Sequence, residues 1–369
     1  MKLLICGGGT GGHIYPALAA VVELQQIGLA TTDFLWIGTE GQVEESLGPR
    51  AGLPLETIQG GAIAGVSLKT KMEHAAKLTL SIGKANRLIS AFQPDVLFMT
   101  GGYVNAPVAL AAWLRRIPAA IYLPDIEPGM AIKTLSRFAK RVACTADASS
   151  QFFPTGKTVT TGYPVRPELR AAVQIDQGTA LAKFDLRLGR PTLFVFGGSR
   201  GARSINRAVM AALPHLLDIA QVIHISGTLD WAEVEAHAET LPESNRAYYR
   251  PFPYLHEEMA YAYRAADLIL ARAGASALGE FPAFGLPSIL VPYPYAWRYQ
   301  KVNADYLVNR GAAVRLNDED LAAQLLPVVR EILENEEERR QMAQAARELD
   351  TPDSAGKLAQ LLLKLSKEG

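Results

Sequence analysis

Residues Leu3 to Tyr15 read LLICGGGTGGHIY, and the reading of this stretch decides the fold. Residues 3–6 are apolar and make a short buried strand. A glycine run interrupted by Thr10 follows, then His13, and an apolar helical pattern sets in at Pro16. Glycines let the backbone approach a ligand closely. The first N–H groups of a helix lack internal partners, and the helix dipole there favours negative charge. A strand that runs through glycines into a helix is therefore an anion cradle, and the stretch points to phosphate chemistry. His13, at the mouth of that helix, is disfavoured in its charged form and so is suited to accept a proton.

The same plan returns at residues 193–209 as LFVFGGSRGARSINRAV: apolar strand, glycine loop, helix. Between and after the two copies, strand and helix signals alternate. Strands are expected at 3–6, 34–37, 55–58 (an edge), 96–99, 119–123, 141–144 and 159–160. A second series is expected at 193–196, 221–225, 247–250, 268–270, 288–291 and 313–314. Helices are expected at 16–27, 44–51, 68–92, 106–116 and 131–138, with a helical stretch over 322–367 broken at Thr351-Pro352. Repeated βα units make a parallel sheet with helices on both faces. The segment GYPVRP at 162–167 interrupts the first series and reads as a rigid connection between domains. The expectation is thus two doubly wound parallel-sheet domains facing each other across a cleft. Both glycine loops would lie at strand C-terminal ends, serving a ligand with two anionic parts.

Composition agrees with this frame. A chain of 369 residues favours two domains, and 49% hydrophobic against 20% charged residues allows a real core. The 37 basic residues balance 37 acidic ones, which argues against a protein that coats nucleic acid. Two cysteines without a CxxC spacing suggest neither a disulfide framework nor a zinc site, and fit a reducing compartment. The N-terminal apolar run is too short for a signal peptide, and the run at 106–114 is too short to span a membrane.

Other motifs add candidate contacts. Gly7, Gly9 and Gly12 fit GxGxxG, but Glu40 stands too far on to be the ribose acid of a dinucleotide fold. A P-loop is excluded, because Gln151 occupies the first glycine position before Gly156-Lys157-Thr158. GGYVNAP at 101–107 is a third glycine turn after a strand. RAGASALGE at 272–280 follows another strand, with Ser276 as a plausible helix cap and Glu280 one turn in, where a carboxylate suits a pair of ribose hydroxyls. Alternatively Glu280 is a solvated helix residue. Gln300 and Asn303 share a helix face within an aromatic, amide-rich segment that suits a neutral sugar. Asp318-Glu319-Asp320 reads as a solvated helix start rather than a metal site. Residues 62–87 mix apolar positions with Lys69, Lys71, Lys77, Lys84 and Arg87. They are either a basic amphipathic surface for anionic lipid or an ordinary half-buried helix.

Taken together, GGTGGHIYPALA, GGYVNAP, GYPVR, GGSRGARSIN and EFPAFGLPSILVPYP resemble, in order and over nearly the whole chain, the bacterial UDP-N-acetylglucosamine–N-acetylmuramyl-(pentapeptide) pyrophosphoryl-undecaprenol N-acetylglucosamine transferases. The resemblance implies the GT-B fold: an acceptor-binding Rossmann-like domain over 1–164, a UDP-sugar-binding one over 165–345, and a C-terminal helix over 346–369 returning to the first. It implies inverting transfer that makes lipid II from lipid I, at the cytoplasmic side of the cell membrane by a peripheral protein. The implied partners are UDP-N-acetylglucosamine, a polyprenyl-diphosphate-linked acceptor and an anionic inner-membrane surface, with no nucleic acid. By the same resemblance His13 is the base, and Thr10, Gly11, Gly12, Tyr103 and Asp125 serve the acceptor. Arg166, Ser199, Leu255, Ala275, Ser276, Ala277, Glu280, Gln300 and Asn303 serve the donor. No metal ligand and no required cofactor are implied, with Mg²⁺ as a stimulant only. The chain departs from the family at 122–125, where Tyr-Leu-Pro-Asp replaces a His-Glu-Gln-Asn run. Three other readings stay open at the level of sequence: a related GT-B enzyme with another acceptor or a UDP-sugar 2-epimerase, a nicotinamide oxidoreductase, and a non-catalytic nucleotide-sugar binder.

Overall fold

The computed structural model describes residues 1–8, 11–41, 44–45, 51–58, 68–102, 104–198, 201–295 and 299–368, with side chains for all of these except 11 and 68–78. Contacts divide the chain into two units, Met1–Arg166 with Pro352–Gly369, and Pro167–Thr351.

The first unit is built on seven parallel strands: β1 (Leu3–Gly7), β2 (Phe34–Thr39), β3 (Leu55–Ile58), β4 (Val96–Gly101), β5 (Ala119–Leu123), β6 (Arg141–Cys144) and β7 (Thr158–Thr160). Their order is β3-β2-β1-β4-β5-β6-β7, so the winding reverses between β1 and β4. Such a reversal opens a crevice at the carboxyl ends of the strands. Alternate residues of each strand feed opposite faces. Leu4, Cys6, Leu97 and Met99 pack under Ala85 and Ile89 of the helix Leu68–Phe92 and Val108 and Ala112 of the helix Asn105–Leu114. Leu3, Ile5 and Phe98 face the other way, against Ile14, Val21 and Leu24 of the helix Gly11–Gln26 and Leu358, Leu362 and Leu365 of the C-terminal helix Ser354–Ser366. Ser354 Oγ ties that last helix to the Tyr163 carbonyl at 2.9 Å.

The second unit carries β8 (Thr192–Phe196), β9 (Gln221–Ile225), β10 (Tyr249–Phe252), β11 (Leu268–Ala271), β12 (Ser288–Leu290) and β13 (Ala313–Arg315). They too are parallel, in the order β10-β9-β8-β11-β12-β13, with the reversal between β8 and β11. The helix Arg203–Ile219 lays Ile205, Val209, Leu213 and Leu216 on the sheet at helical spacing, beside Leu325 and Val329 of the helix Leu321–Glu334. Both sheets are therefore doubly wound, as the alternating pattern requires.

Several boundaries differ from the sequence reading: the strand expected at 247–250 is Tyr249–Phe252, and the helix expected at 131–138 is Met130–Leu135. The first helix begins at Gly11 rather than Pro16, so His13 lies in its first turn and Pro16 inside it. The C-terminal helical stretch has a second break: Asn335 ends one helix and caps the next, Glu336–Glu348, by accepting the Glu338 N–H at 3.1 Å. The expected helix at 44–51 lies mostly outside the described residues.

A polar network lies within the second unit beside its glycine loop. His224 is fully buried, its Nδ1 2.8 Å from the Tyr249 hydroxyl and its Nε2 3.0 Å from Asn206 Oδ1. Asn206 Nδ2 donates to the Ser226 carbonyl at 2.8 Å and to Asp230 at 2.9 Å. Because the Asn206 oxygen only accepts, the neutral ring carries its proton on Nε2, and Nδ1 accepts from Tyr249. Burial pushes the His224 pKa down to about 3. The unfolded chain therefore binds a proton, near pH 6.5, that the folded chain refuses, and stability drops as pH falls below that value. The urea midpoint is expected to fall between pH 7 and pH 4.5, by an amount equivalent to about 2–3 kcal/mol from this group. The pH dependence should be shallower in His224→Gln, and an identical slope in the variant would contradict the assignment.

Candidate active site

In the first unit the site starts where β1 leaves the sheet. The Gly7 carbonyl accepts from Trp36 Nε1 at 2.9 Å, and the Gly8 N–H reaches the Gly101 carbonyl at 3.3 Å. The register of β1 against β4 slips here, Cys6 pairing Met99 but Gly7 pairing Gly101. There is no room for side chains. A Cβ on Gly7 would stand 2.0 Å from Thr100 Oγ1, and one on Gly8 would stand 1.9 Å from a Glu44 oxygen. Glu44 is itself buried and accepts the Thr39 N–H at 2.8 Å. The GGYVNAP turn is held by Asn105, fully buried, whose Nδ2 donates to the Gly102 carbonyl at 3.1 Å.

His13 lies across the end of β4. Gly101 has φ 120°, and a Cβ there would come within 2.9 Å of the imidazole Nε2. Only glycine supplies both that backbone angle and that closeness. Burial lowers the His13 pKa below the ordinary histidine value. The Asp125 charge, a hydrogen bond with the Gly8 backbone and the Glu44 charge act in the opposite direction, and burial prevails. The ring is thus neutral near pH 7 and able to take a proton.

Asp125 follows β5, the neighbour of β4, and its segment is pinned. Thr145 Oγ1 accepts from the Tyr122 hydroxyl at 2.8 Å and donates to the Pro124 carbonyl at 2.8 Å, while Ser149 Oγ donates to the Ile126 carbonyl at 2.8 Å. Tyr122 and Leu123 are core residues with no exposure, and only Asp125 sits within electrostatic reach of His13. Gly11 and Gly12 are the first two residues of the helix that carries His13. Thr10 and Tyr103 lie outside the described residues. Arg166, expected as a donor contact, belongs to the first unit, its guanidinium 4.6 Å from the centre of the Tyr15 ring.

In the second unit the glycine loop crowds against β9. Gly201 has φ 79°, and a Cβ there would stand 2.1 Å from the Ser226 carbonyl oxygen. Ser199 lies outside the described residues. Ser204, in the first turn of the helix Arg203–Ile219, donates to Asp318 at 2.7 Å and accepts from Arg272 Nη2 at 2.8 Å. Arg272 also pairs directly with Asp318. Asp318 is therefore a partly buried ion-pair partner and not the solvated helix residue expected, because Arg272 reaches it from the end of β11. Among the described residues no group of His, Cys, Asp and Glu side chains is placed to hold a metal ion.

Residues Ala275–Leu278 form one 3-10 turn rather than the start of a longer helix, and Ser276 makes no capping bond. Ala277, expected with Ala275 and Ser276 to offer its N–H to the donor diphosphate, donates that N–H to the Gly274 carbonyl at 3.0 Å within the turn. Glu280 opens the short helix Glu280–Phe284, and at 6% exposure it is not solvated. It accepts a hydrogen bond from the Tyr263 hydroxyl at 2.7 Å. Gln300 accepts the Tyr293 N–H at 2.8 Å, and Asn303, fully buried, donates to the Ala273 carbonyl at 3.2 Å. These two amides fasten the loops after β12 and β11. Leu255 is buried ahead of the helix Glu258–Ala265. Sequence reasoning passed over Tyr263, Thr145 and Arg272: in the chain they look like a core aromatic, a strand-end hydroxyl and a surface cation.

Residues 3–144 match the glycosyltransferase family 28 N-terminal domain, and residues 192–358 match the family's C-terminal domain. A relative from Roseiflexus sp. (strain RS-1), a UDP-N-acetylglucosamine–N-acetylmuramyl-(pentapeptide) pyrophosphoryl-undecaprenol N-acetylglucosamine transferase, is 40% identical across 98% of this chain and 94% of its own. The enzyme of the same name from Desulforamulus reducens is 36% identical across 99% of each chain. The crystal structure of Acinetobacter baumannii MurG superimposes with a TM-score of 0.77 at 27% identity, covering 98% of this chain and 99% of that one.

The electrostatics give a direct test. An NMR titration of the histidine rings should place His13 below the ordinary value of 6.5. Asp125→Asn removes a charge that stabilises the imidazolium, so the His13 midpoint should move to still lower pH. A midpoint that rises or stays fixed in Asp125→Asn would contradict the electrostatic influence of Asp125 on His13.

Proposed function

This chain belongs to glycosyltransferase family 28, and on that premise we propose that it transfers N-acetylglucosamine from UDP-N-acetylglucosamine to undecaprenyl-pyrophosphoryl-N-acetylmuramyl-pentapeptide. The acceptor atom is the C4 hydroxyl of the N-acetylmuramyl unit, and the reaction is the lipid I to lipid II step of peptidoglycan synthesis. The observation that carries the reading is full-length identity of 40% to a transferase named for that reaction.

The roles given to the residues are those that membership of the family implies. The C4 hydroxyl attacks the anomeric carbon of the donor sugar in one displacement, and neutral His13 takes its proton. Gly11 and Gly12, at the helix N-terminus, receive the acceptor's diphosphate, and Thr10, Tyr103 and Asp125 serve the acceptor by the family resemblance. In the second unit, the N-terminus of Arg203–Ile219 and the turn at Ala275 and Ser276 stabilise the departing UDP. Ser199 and Arg166 contact the donor, Leu255 lies against uracil, Glu280 grips the ribose, and Gln300 serves the sugar, while Asn303, which has no exposed surface, supports the loop after β11 through the Ala273 carbonyl. No cofactor is assigned. Mg²⁺ acts as a stimulant, so EDTA is expected to slow turnover without abolishing it.

We infer that the enzyme works as a peripheral protein at the cytoplasmic face of the membrane that holds a polyprenyl-linked acceptor. Leu80, Trp113 and Leu114 are 75%, 55% and 64% exposed, beside the exposed cations Lys84, Arg87, Arg115 and Arg116. Arg115 Nε donates to Asn86 Oδ1 at 2.7 Å, joining the two helices that carry this surface. Apolar side chains among cations suit an anionic bilayer surface. Among the described residues no helix is long and apolar enough to cross a membrane.

The test is UDP release from UDP-N-acetylglucosamine, measured with and without lipid I. Wild type is expected to release UDP only when lipid I is present, and His13→Ala should be slower by about 10²–10⁴-fold. Equal rates for the two proteins would overturn the role of His13, and release indifferent to lipid I would overturn the acceptor.

A further inference from the structure

We propose that Tyr263 is a positioning residue for the donor's ribose, acting through Glu280. The proposal rests on the reading in which Glu280 grips the ribose hydroxyls, and it adds what makes that grip selective.

Tyr263 lies in the helix Glu258–Ala265 and is 1% exposed. Its ring is enclosed by four others. Phe194 and Phe196 of β8 meet it edge to face, with centroids 5.5 and 5.9 Å away. Phe284 stacks on it at 5.3 Å, and Phe281 stands at 6.0 Å. A ring confined in this way has one rotamer, so its hydroxyl oxygen occupies one point. That point is 2.7 Å from Glu280 Oε2.

The consequence for Glu280 is geometric. A carboxylate that holds two vicinal hydroxyls must present its oxygens in one plane and direction. Glu280 has three side-chain torsions, and freezing them costs entropy at the moment of binding unless the fold has already done so. The Tyr263 O–H, anchored in its aromatic enclosure, fixes one oxygen and with it the plane of the group. Packing alone does not call for a hydroxyl, since a phenyl ring would fill the same enclosure of phenylalanines. The polar tip is explained by the carboxylate it holds.

The experiment is steady-state kinetics of the wild type, Tyr263→Phe and Glu280→Ala, with UDP-N-acetylglucosamine and with its 2′-deoxyribose analogue as donors. Tyr263→Phe keeps the ring and so the fold. It is expected to raise KM for UDP-N-acetylglucosamine about tenfold with kcat within about twofold, the loss expected for one hydrogen bond to a charged group. KM for the 2′-deoxy donor should hardly move, so the preference for the ribose donor shrinks. A merely structural tyrosine would change both donors alike, and that result, or no change in either, overturns the proposal. If Glu280→Ala loses the preference while Tyr263→Phe keeps it, the positioning role alone fails. If Glu280→Ala retains the full preference, the ribose reading fails, and the role of Tyr263 with it.

Discussion

At the carboxyl ends of both parallel sheets the chain passes through space with no room for a Cβ atom, and the rest of the structure depends on that crowding. In the first unit Gly7 meets Thr100, Gly8 meets Glu44 and Gly101 meets the His13 ring. In the second, Gly201 meets the Ser226 carbonyl. Each contact lies where the chain leaves a strand toward the helix that follows, whose first N–H groups and dipole favour an anion at that end of the sheet. The same closeness sets the chemistry. A His13 ring pressed against backbone loses solvent, and lost solvent keeps it neutral against the pull of Asp125 and Glu44.

Much of this was legible in the chain. The strands at 55–58, 119–123, 141–144 and 221–225 and the helix at 68–92 stand where the pattern puts them, because apolar runs or helical periodicity are bounded by polar or turn residues. Buried parallel strands leave little freedom in such runs. The first helix start was not legible. Gly11, Gly12 and Pro16 are poor helix residues, yet all three lie within the helix Gly11–Gln26. The break at Asn335 was legible in principle, since Asn335 with Glu338 is a capping pair, but the continuous charged run around it hid the signal.

The site divides in the same way. The positions of His13, near the start of a helix after the glycines, and of Glu280, near the start of one after β11, could be read from the chain. Their partners could not. Asp125 reaches His13 only because β5 lies beside β4, and Thr145 pins Asp125's segment only because β6 lies beside β5. Tyr263 reaches Glu280 across the packing of two helices. Asp318 reads as solvent-facing until Arg272 is brought to it from another strand end. What sequence left out is in each case a tertiary contact between strand ends or loops, which local pattern does not encode.

The proposed function divides the labour: the first glycine loop would serve base chemistry and the acceptor, and the second the nucleotide. Titration calorimetry of UDP against Gly101→Ala and Gly201→Ala tests it most directly. The account expects Gly101→Ala, which displaces His13, to bind UDP as the wild type does, and Gly201→Ala, which forces the second loop off Ser226, to lose that binding. A Gly101→Ala protein that binds UDP as poorly as Gly201→Ala would contradict it.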